Sequence, residues 1–316
     1  SLHDALPISA RVVSSMEIVV FGAGSLGSLV GGMLACDHDV TLVARHAHAR
    51  AVRESGLRLE GVADTPRCVT PAETADGTGL AADLAVVTVK SFDTAEAADT
   101  LATGSIDAVL SLQNGLGNET TLAERLEVPV LAGTATYGAI LKEPGVVECT
   151  GVGEIVLGPR NGGSSTRADR IGEAFAAGGL ETTVADDMPR RLWEKLAVNA
   201  GINPVTALTA TENGAVLEEP ATGLARTATR ETARVARACG VSLSNREALA
   251  AMETVAEATA ANTSSMAQDL AATRRTEIDA INGYVVARAA DNGLSVPTNR
   301  TLTALVRTWE RGCDLR

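Results

Sequence analysis

The feature that most limits what this chain can fold into is Gly22, Gly24 and Gly27, a G-x-G-x-x-G within GAGSLG. It follows the apolar run MEIVVF (16–21) directly and opens a small-residue helical stretch to about Ala35. Each glycine answers a separate steric demand: Gly22 the tight turn, Gly24 the approach of a pyrophosphate to the backbone, Gly27 the close packing of helix on strand. The helix start adds amide donors and a partial positive charge. HDVTLVAR (38–45) supplies a second strand at the spacing of a βαβ unit. The loop Gly22, Ala23, Gly24, Ser25, Leu26 and Gly27 therefore reads as a dinucleotide-binding turn.

Further short β-rich runs follow at DLAVVTV (83–89), IDAVLSL (106–112), PVLAG (129–133) and EIVLG (154–158), separated by Ala-rich helical patterns such as Thr94 to Thr103. That alternation predicts an α/β fold with a parallel, doubly wound sheet. EPGV (143–146) reads as a tight turn between two antiparallel strands. After TTVADD (182–187) strand signals vanish, and helical patterns run from Met188 to the end, broken by INPVT, CGVSLSN and NGLSVPTN. A nucleotide-binding domain over 16–187 and an all-helical C-terminal domain over 188–316 are expected. Residues 1–15 stand apart. SLHDALPIS resembles the translation of a sequencing-adapter oligonucleotide, so a native start at Met16 is expected and residues 1–15 are left out of the fold reading. A signal peptide with Arg11 as its basic region and 16–35 as its apolar core conflicts with the glycines of that window.

Charge and composition narrow the function classes. The 39 acidic residues against 27 basic ones give a net charge of -12, spread along the chain, which argues against nucleic acid as a partner. Three lysines beside 24 arginines, with many acids, fit both a high-salt cytoplasm and a GC-rich genome. Cys36, Cys68, Cys149, Cys239 and Cys313 form no C-x-x-C pair and read as reduced thiols of a cytoplasmic protein, with no metal site. All four histidines lie within the first 48 residues, so chemistry in the second half needs a different proton donor.

Several residues are candidates for that chemistry. Arg45 ends the second strand, where an NAD-binding chain places an acid against the ribose; a guanidinium suits a 2′-phosphate and favours NADPH, although it also fits an ordinary exposed arginine. Lys90 and Asn114 follow later strands at carboxyl ends, where open α/β sheets bind ligands, and each also fits a surface position or a turn. Lys195, Asn199 and Asn203 are spaced i, i+4, i+8 on one helix face, either a solvent-facing stripe or, given apolar neighbours such as Leu196, Val198 and Ile202, a face lining a cleft. Arg keeps its proton, whereas a partly buried Lys can titrate near neutrality. NTSSMAQD (262–269) opens a long helix, in which Ser265 and Gln268 fit a capping box, and free hydroxyls and amides there can also hold a carboxylate. Glu277 falls three turns further on, as a solvated helix acid or a partner of Arg274.

Taken together, GAGSLG, the Arg of VTLVAR, the Lys of VTVKSFDT, QNGLGNE, GTATYGA, KLAVNAGINPVTAL, and TSSMAQD followed by RRTEIDAINGY resemble the ketopantoate reductase family across residues 16–316. The resemblance implies a Rossmann-type domain followed by a helical domain, and NADPH-dependent reduction of 2-dehydropantoate in pantothenate and coenzyme A biosynthesis. It implies the pyrophosphate at Gly22–Gly27, the 2′-phosphate at Arg45 and Lys90, and the nicotinamide side at Asn114 and the backbone of Ala139. Lys195 corresponds to the general acid, with Glu277 near it and the cofactor. Asn199, Asn203, Asn213 and the segment Asn262 to Ser265 correspond to ligands of the small 2-oxo acid. The loop ECTGVGE departs from the pattern, with Cys149 where many relatives are expected to carry His. Alternatives are a β-hydroxyacid dehydrogenase, a reductase of another 2-oxo acid, and a non-catalytic NADPH sensor. No membrane partner is expected, and a homodimer is left open.

Overall fold

The structure, a computed structural model, describes residues 15–62, 67–69, 72–74 and 76–316. Residues 1–14, nearly all of the expected extension, lie outside the described residues.

The first part of the chain runs β1 (Glu17–Phe21), α1 (Ser25–Leu34), β2 (Asp39–Val43), α2 (His46–Ser55), β3 (Leu57–Glu60), β4 (Arg67–Val69), β5 (Ala72–Thr74), β6 (Ala81–Ala82) and β7 (Leu84–Val87). It continues with α3 (Thr94–Leu101), β8 (Ser105–Ile106), β9 (Val109–Ser111), α4 (Asn118–Arg125), β10 (Val130–Ala135), β11 (Gly138–Glu143), β12 (Val146–Gly151), β13 (Ile155–Pro159), α5 (Thr166–Ala177) and β14 (Thr182–Val184). Eight strands form the main sheet in the order β14-β13-β10-β9-β7-β1-β2-β5. The central strands are unbroken apolar runs because helices cover both faces: Val19, Val20, Leu84, Val86, Val109 and Leu110 are all buried.

One pair departs from the expected parallel sheet. β13 runs antiparallel to β10, with Leu131 opposite Pro159. The segment between them is the β11–β12 hairpin, turned at 143–146 as the sequence predicts, and no helix intervenes to carry the chain back to the starting edge. A second sheet, β11-β12-β3-β4, was not expected. β3 has only four residues, alternating buried Leu57 and Leu59 with Arg58 and Glu60, too short a run to stand out as a strand.

From Met188 the chain is helical: α6 (Met188–Thr209), α7 (Ala221–Ala238), α8 (Asn245–Ala258), α9 (Ser265–Ala271), α10 (Asn282–Asp291) and α11 (Pro297–Gly312). The breaks at CGVSLSN and NGLSVPTN fall where expected, between α7 and α8 and between α10 and α11. INPVT does not break the chain; α6 passes straight through Pro204. Proline removes the N–H that would bond the carbonyl of Ala200, four residues back. The buried Asn282 of α10 supplies the missing donor, its Nδ2 lying 3.0 Å from Ala200 O. A tertiary contact thus repairs what local propensity would break. Among the described residues no helix is long and apolar enough to cross a membrane.

Candidate active site

The carboxyl ends of β1, β7, β9 and β10 share one edge of the sheet, and most of the candidate residues gather above it. At the end of β1, Gly22 has φ +102°, and a Cβ there would lie 2.6 Å from the backbone nitrogen of Val89. A Cβ on Gly27 would come within 2.5 Å of Thr88 Oγ1. Over Gly24 the nearest atom to such a Cβ is Gly22 O at 3.9 Å, so the backbone there faces open space. Among the described residues no side chain caps the start of α1, and its first turn carries no acid. An uncapped helix start above an open glycine matches the demands of a pyrophosphate. Arg45 is exposed at the N-cap of α2, past the end of β2. The residues present therefore fit a dinucleotide.

The next strands bring in the second half of the chain. Lys90 Nζ lies 2.6 Å from Asp269 Oδ2 and 3.7 Å from Glu277 Oε2. Asp269 is buried and also holds Arg274, at 3.1 Å. Glu277 is buried; it accepts from the Ser91 amide at 3.0 Å and from Asn114 Nδ2 at 3.4 Å. Burial pushes its carboxyl above the usual range, opposed by the Lys90 charge and these donors. The structure thus joins Lys90, Asn114 and Glu277, while Arg45 stands apart beyond β2. The buried Gln113 fixes the strand ends beneath them, its Nε2 donating to Val89 O at 3.0 Å.

Two local expectations are corrected here. Glu277 is not on the helix opened by NTSSMAQD: α9 ends at Ala271, and Glu277 sits in the connection to α10, buried and bonded across the cleft instead of solvated. Arg274 pairs with Asp269, not with Glu277. The N-cap of α9 is Ser264, whose hydroxyl accepts from the Ala267 amide at 3.2 Å, and Gln268 bonds Thr263 O, so the Ser265–Gln268 box does not form. One residue of shift leaves Ser265 exposed as the first residue of α9. Asp269 was not singled out from the sequence, and Ser264 entered only within the segment Asn262 to Ser265. The burial of Asp269 depends on partners far along the chain, although its place between Gln268 and the apolar Leu270 offered a weak hint.

Lys195, Asn199 and Asn203 do lie along one face of α6. Lys195 Nζ donates to the carbonyl of Ala135, at the end of β10, at 2.9 Å. Burial lowers its pKa from 10.5 to about 8, and the charge of Glu277 acts in the opposite direction. Two turns along, Asn203 is buried, and the next turn of α6 meets the α9 start where Thr206 Oγ1 and Ser264 Oγ are 2.8 Å apart. That contact sets Asn262 to Ser265 beside the far end of the Lys195 face. Asn213 donates its backbone amide to Asn262 O at 2.9 Å and its Nδ2 to Thr259 Oγ1 at 3.0 Å. Among the described residues its buried Oδ1 has no partner, leaving an acceptor for a ligand hydroxyl. Ala139 is partly buried on β11, paired with Cys149. A titratable donor and several side-chain amides on and beside α6 can bind a small oxo acid and protonate it.

Comparisons with known proteins show the family and the fold. A family model described as ketopantoate reductase PanE/ApbA matches residues 18–162, and its C-terminal counterpart matches residues 187–310. A 2-dehydropantoate 2-reductase of Halobacterium salinarum is 47% identical over 302 residues, 94% of this chain and 99% of that protein. A PanE/ApbA family ketopantoate reductase from Ralstonia eutropha JMP134 has a TM-score of 0.87 at 37% identity, covering 95% of this chain and all of that one. A D-mandelate dehydrogenase solved with NADH has a TM-score of 0.85 at 25% identity, covering 94% of this chain and all of that one.

Proposed function

The chain belongs to the ketopantoate reductase family, and we propose that it reduces 2-dehydropantoate to pantoate with NADPH as the reductant. It is an oxidoreductase. The observation that carries the reading of its chemistry is the Lys195 ammonium, held on a backbone carbonyl at the carboxyl edge of the sheet with a pKa near neutrality.

In this reading residues 16–187 bind the nucleotide and residues 188–316 supply most of the substrate contacts, in the cytoplasm. The amides of the GAGSLG turn would hold the pyrophosphate, and the exposed Arg45 would meet the adenosine 2′-phosphate, which is the case for NADPH over NADH. Asn114 and the Ala139 backbone would border the nicotinamide, which when bound supplies the hydride. Lys90 already has carboxylate partners in Asp269 and Glu277, so in this reading it supports the cofactor side by holding Glu277 in place. Lys195 donates a proton to the oxygen of the C2 carbonyl as negative charge develops there. Glu277 raises the affinity of Lys195 for that proton. Asn199, Asn203, Asn213, Asn262 and Ser265 orient the carboxylate and hydroxyl of the substrate so that the carbonyl faces the hydride donor.

The likeness to D-mandelate dehydrogenase keeps a second reading, an NADH-dependent reductase of an aromatic 2-oxo acid. Loss of NADPH absorbance with 2-dehydropantoate, run beside NADH and beside benzoylformate, decides between them. Turnover confined to NADPH and 2-dehydropantoate supports the proposal. Faster turnover of benzoylformate with NADH overturns it, and binding without turnover of either acid returns the chain to a sensor.

A further inference from the structure

The β11–β12 hairpin runs along the glycine-rich turn, and one buried histidine fastens it there. His48, the third residue of α2, lies with Nδ1 2.9 Å from the backbone nitrogen of Gly145 in the hairpin turn and Nε2 2.9 Å from Ser28 Oγ on α1. A backbone N–H can only donate, so Nδ1 is the unprotonated acceptor and the ring proton sits on Nε2, donating to Ser28 Oγ. The Ser28 hydroxyl in turn donates to Ala23 O, inside GAGSLG, at 3.1 Å. Every donor in this chain points the same way, from the hairpin turn to the loop. Burial favours the uncharged ring by lowering its pKa.

Two further bonds end on the same parts. The Leu141 amide of β11 donates to Ser25 Oγ, also in GAGSLG, at 3.0 Å. The His48 amide donates to the carbonyl of Arg45, the N-cap of α2, at 2.9 Å. His48 therefore touches, directly or through one hydroxyl, the loop that faces the pyrophosphate and the residue that faces the 2′-phosphate. A histidine that only filled space would not need both ring nitrogens committed to those two segments.

We propose that His48 is a positioning residue for the dinucleotide: neutral and protonated on Nε2, it fixes α1, α2 and the hairpin turn at one spacing, so that GAGSLG and Arg45 engage the cofactor together. The proposal rests on reading GAGSLG and Arg45 as the cofactor site.

Two measurements on the full chain test it. In protein labelled with 15N-histidine, long-range proton–nitrogen spectra near neutral pH, with His48 assigned by its absence in His48→Gln, should show Nδ1 bare and Nε2 protonated. The opposite tautomer, or an imidazolium, overturns the proposal. Calorimetric titration with NADP+ should show His48→Leu binding about tenfold more weakly, the consequence of orphaning the Gly145 amide and removing the donor to Ser28 Oγ. At saturating NADPH, kcat and the KM for the 2-oxo acid should stay near wild type. His48→Gln, which keeps one donor and one acceptor, should recover part of the affinity. Equal NADP+ affinity in wild type and His48→Leu removes the proposal alone, whereas a wild type that binds no NADP+ removes the cofactor reading along with it. If His48→Leu does not fold, the tautomer and the affinity of His48→Gln decide.

Discussion

Lys195 is where the chemistry is most exposed to test. Burial takes its pKa from 10.5 to about 8, a preference for the neutral amine of roughly 3 kcal/mol. The direction matters: a general acid must hold its proton before the reaction, and with a pKa near 8 about nine in ten molecules do so at pH 7 but only about one in ten at pH 9. In the free enzyme this governs kcat/KM. Measured from about pH 6 to about pH 10 at saturating NADPH, kcat/KM for 2-dehydropantoate should hold level and then fall about tenfold per pH unit above roughly pH 8. Lys195→Ala should lose about 10²–10⁴ in kcat. Lys195→Arg keeps a charge but cannot release a proton, so it should be slow and lack the alkaline fall. Glu277→Gln removes the carboxylate that holds the proton on Lys195, so the fall should move to lower pH. A wild-type profile level to pH 10, or Lys195→Ala within about tenfold of wild type with folding intact, would refute the general-acid assignment.

Arg45→Asp should weaken NADPH roughly ten- to a hundredfold, the worth of a charge-assisted contact, and narrow the gap to NADH; unchanged KM values for both nucleotides would remove Arg45 from the cofactor site. Asn282→Leu strands the Ala200 carbonyl beside Pro204 and should cost about 1–3 kcal/mol, visible as a Tm lowered by several degrees in a thermal scan. An unchanged Tm there would mean that the carbonyl finds another donor. With a net charge of -12, Tm should rise as KCl is increased from about 0.1 M to about 2 M, because salt screens repulsion among the acids; a level or falling Tm would show that the arginine pairs already balance it.

What the sequence reveals is what neighbouring residues decide. The strand-glycine-helix order of β1 and α1 is local, and so are the polar positions four apart on α6. The alternation of short apolar runs with Ala-rich stretches likewise implies helices on both faces of a sheet. Failures occur where a distant residue reverses a local preference. Pro204 should end a helix, but Asn282, far along the chain, donates to the freed carbonyl. Glu277 reads as a surface acid until the Ser91 amide, Asn114 and Lys90 surround it. Ser264 and Ser265 offer nearly the same capping signal, and the choice between them falls to Thr206, on another helix. The second sheet escapes notice because β3 and β4 are too short to show a period, and β3 finds its partner far along the chain, in β12 of the hairpin.

The same geometry separates the three lysines. Lys142 lies on the surface, 3.1 Å from Glu60 and 3.6 Å from Glu148, and the hydrogen bond to Glu60 holds its pKa above the ordinary value. Lys90 is clamped by Asp269 and Glu277 across the two halves of the chain. Both ammonium groups have carboxylate partners within ion-pair distance. Lys195 differs from both. Among the described residues no carboxylate lies within ion-pair distance of it; its hydrogen-bond partner is the neutral carbonyl of Ala135, and burial dominates. An arginine could serve at the two paired sites, since a fixed charge is all they ask. At the third, a fixed charge would leave the cleft with a cation that binds the substrate oxygen but never delivers a proton to it.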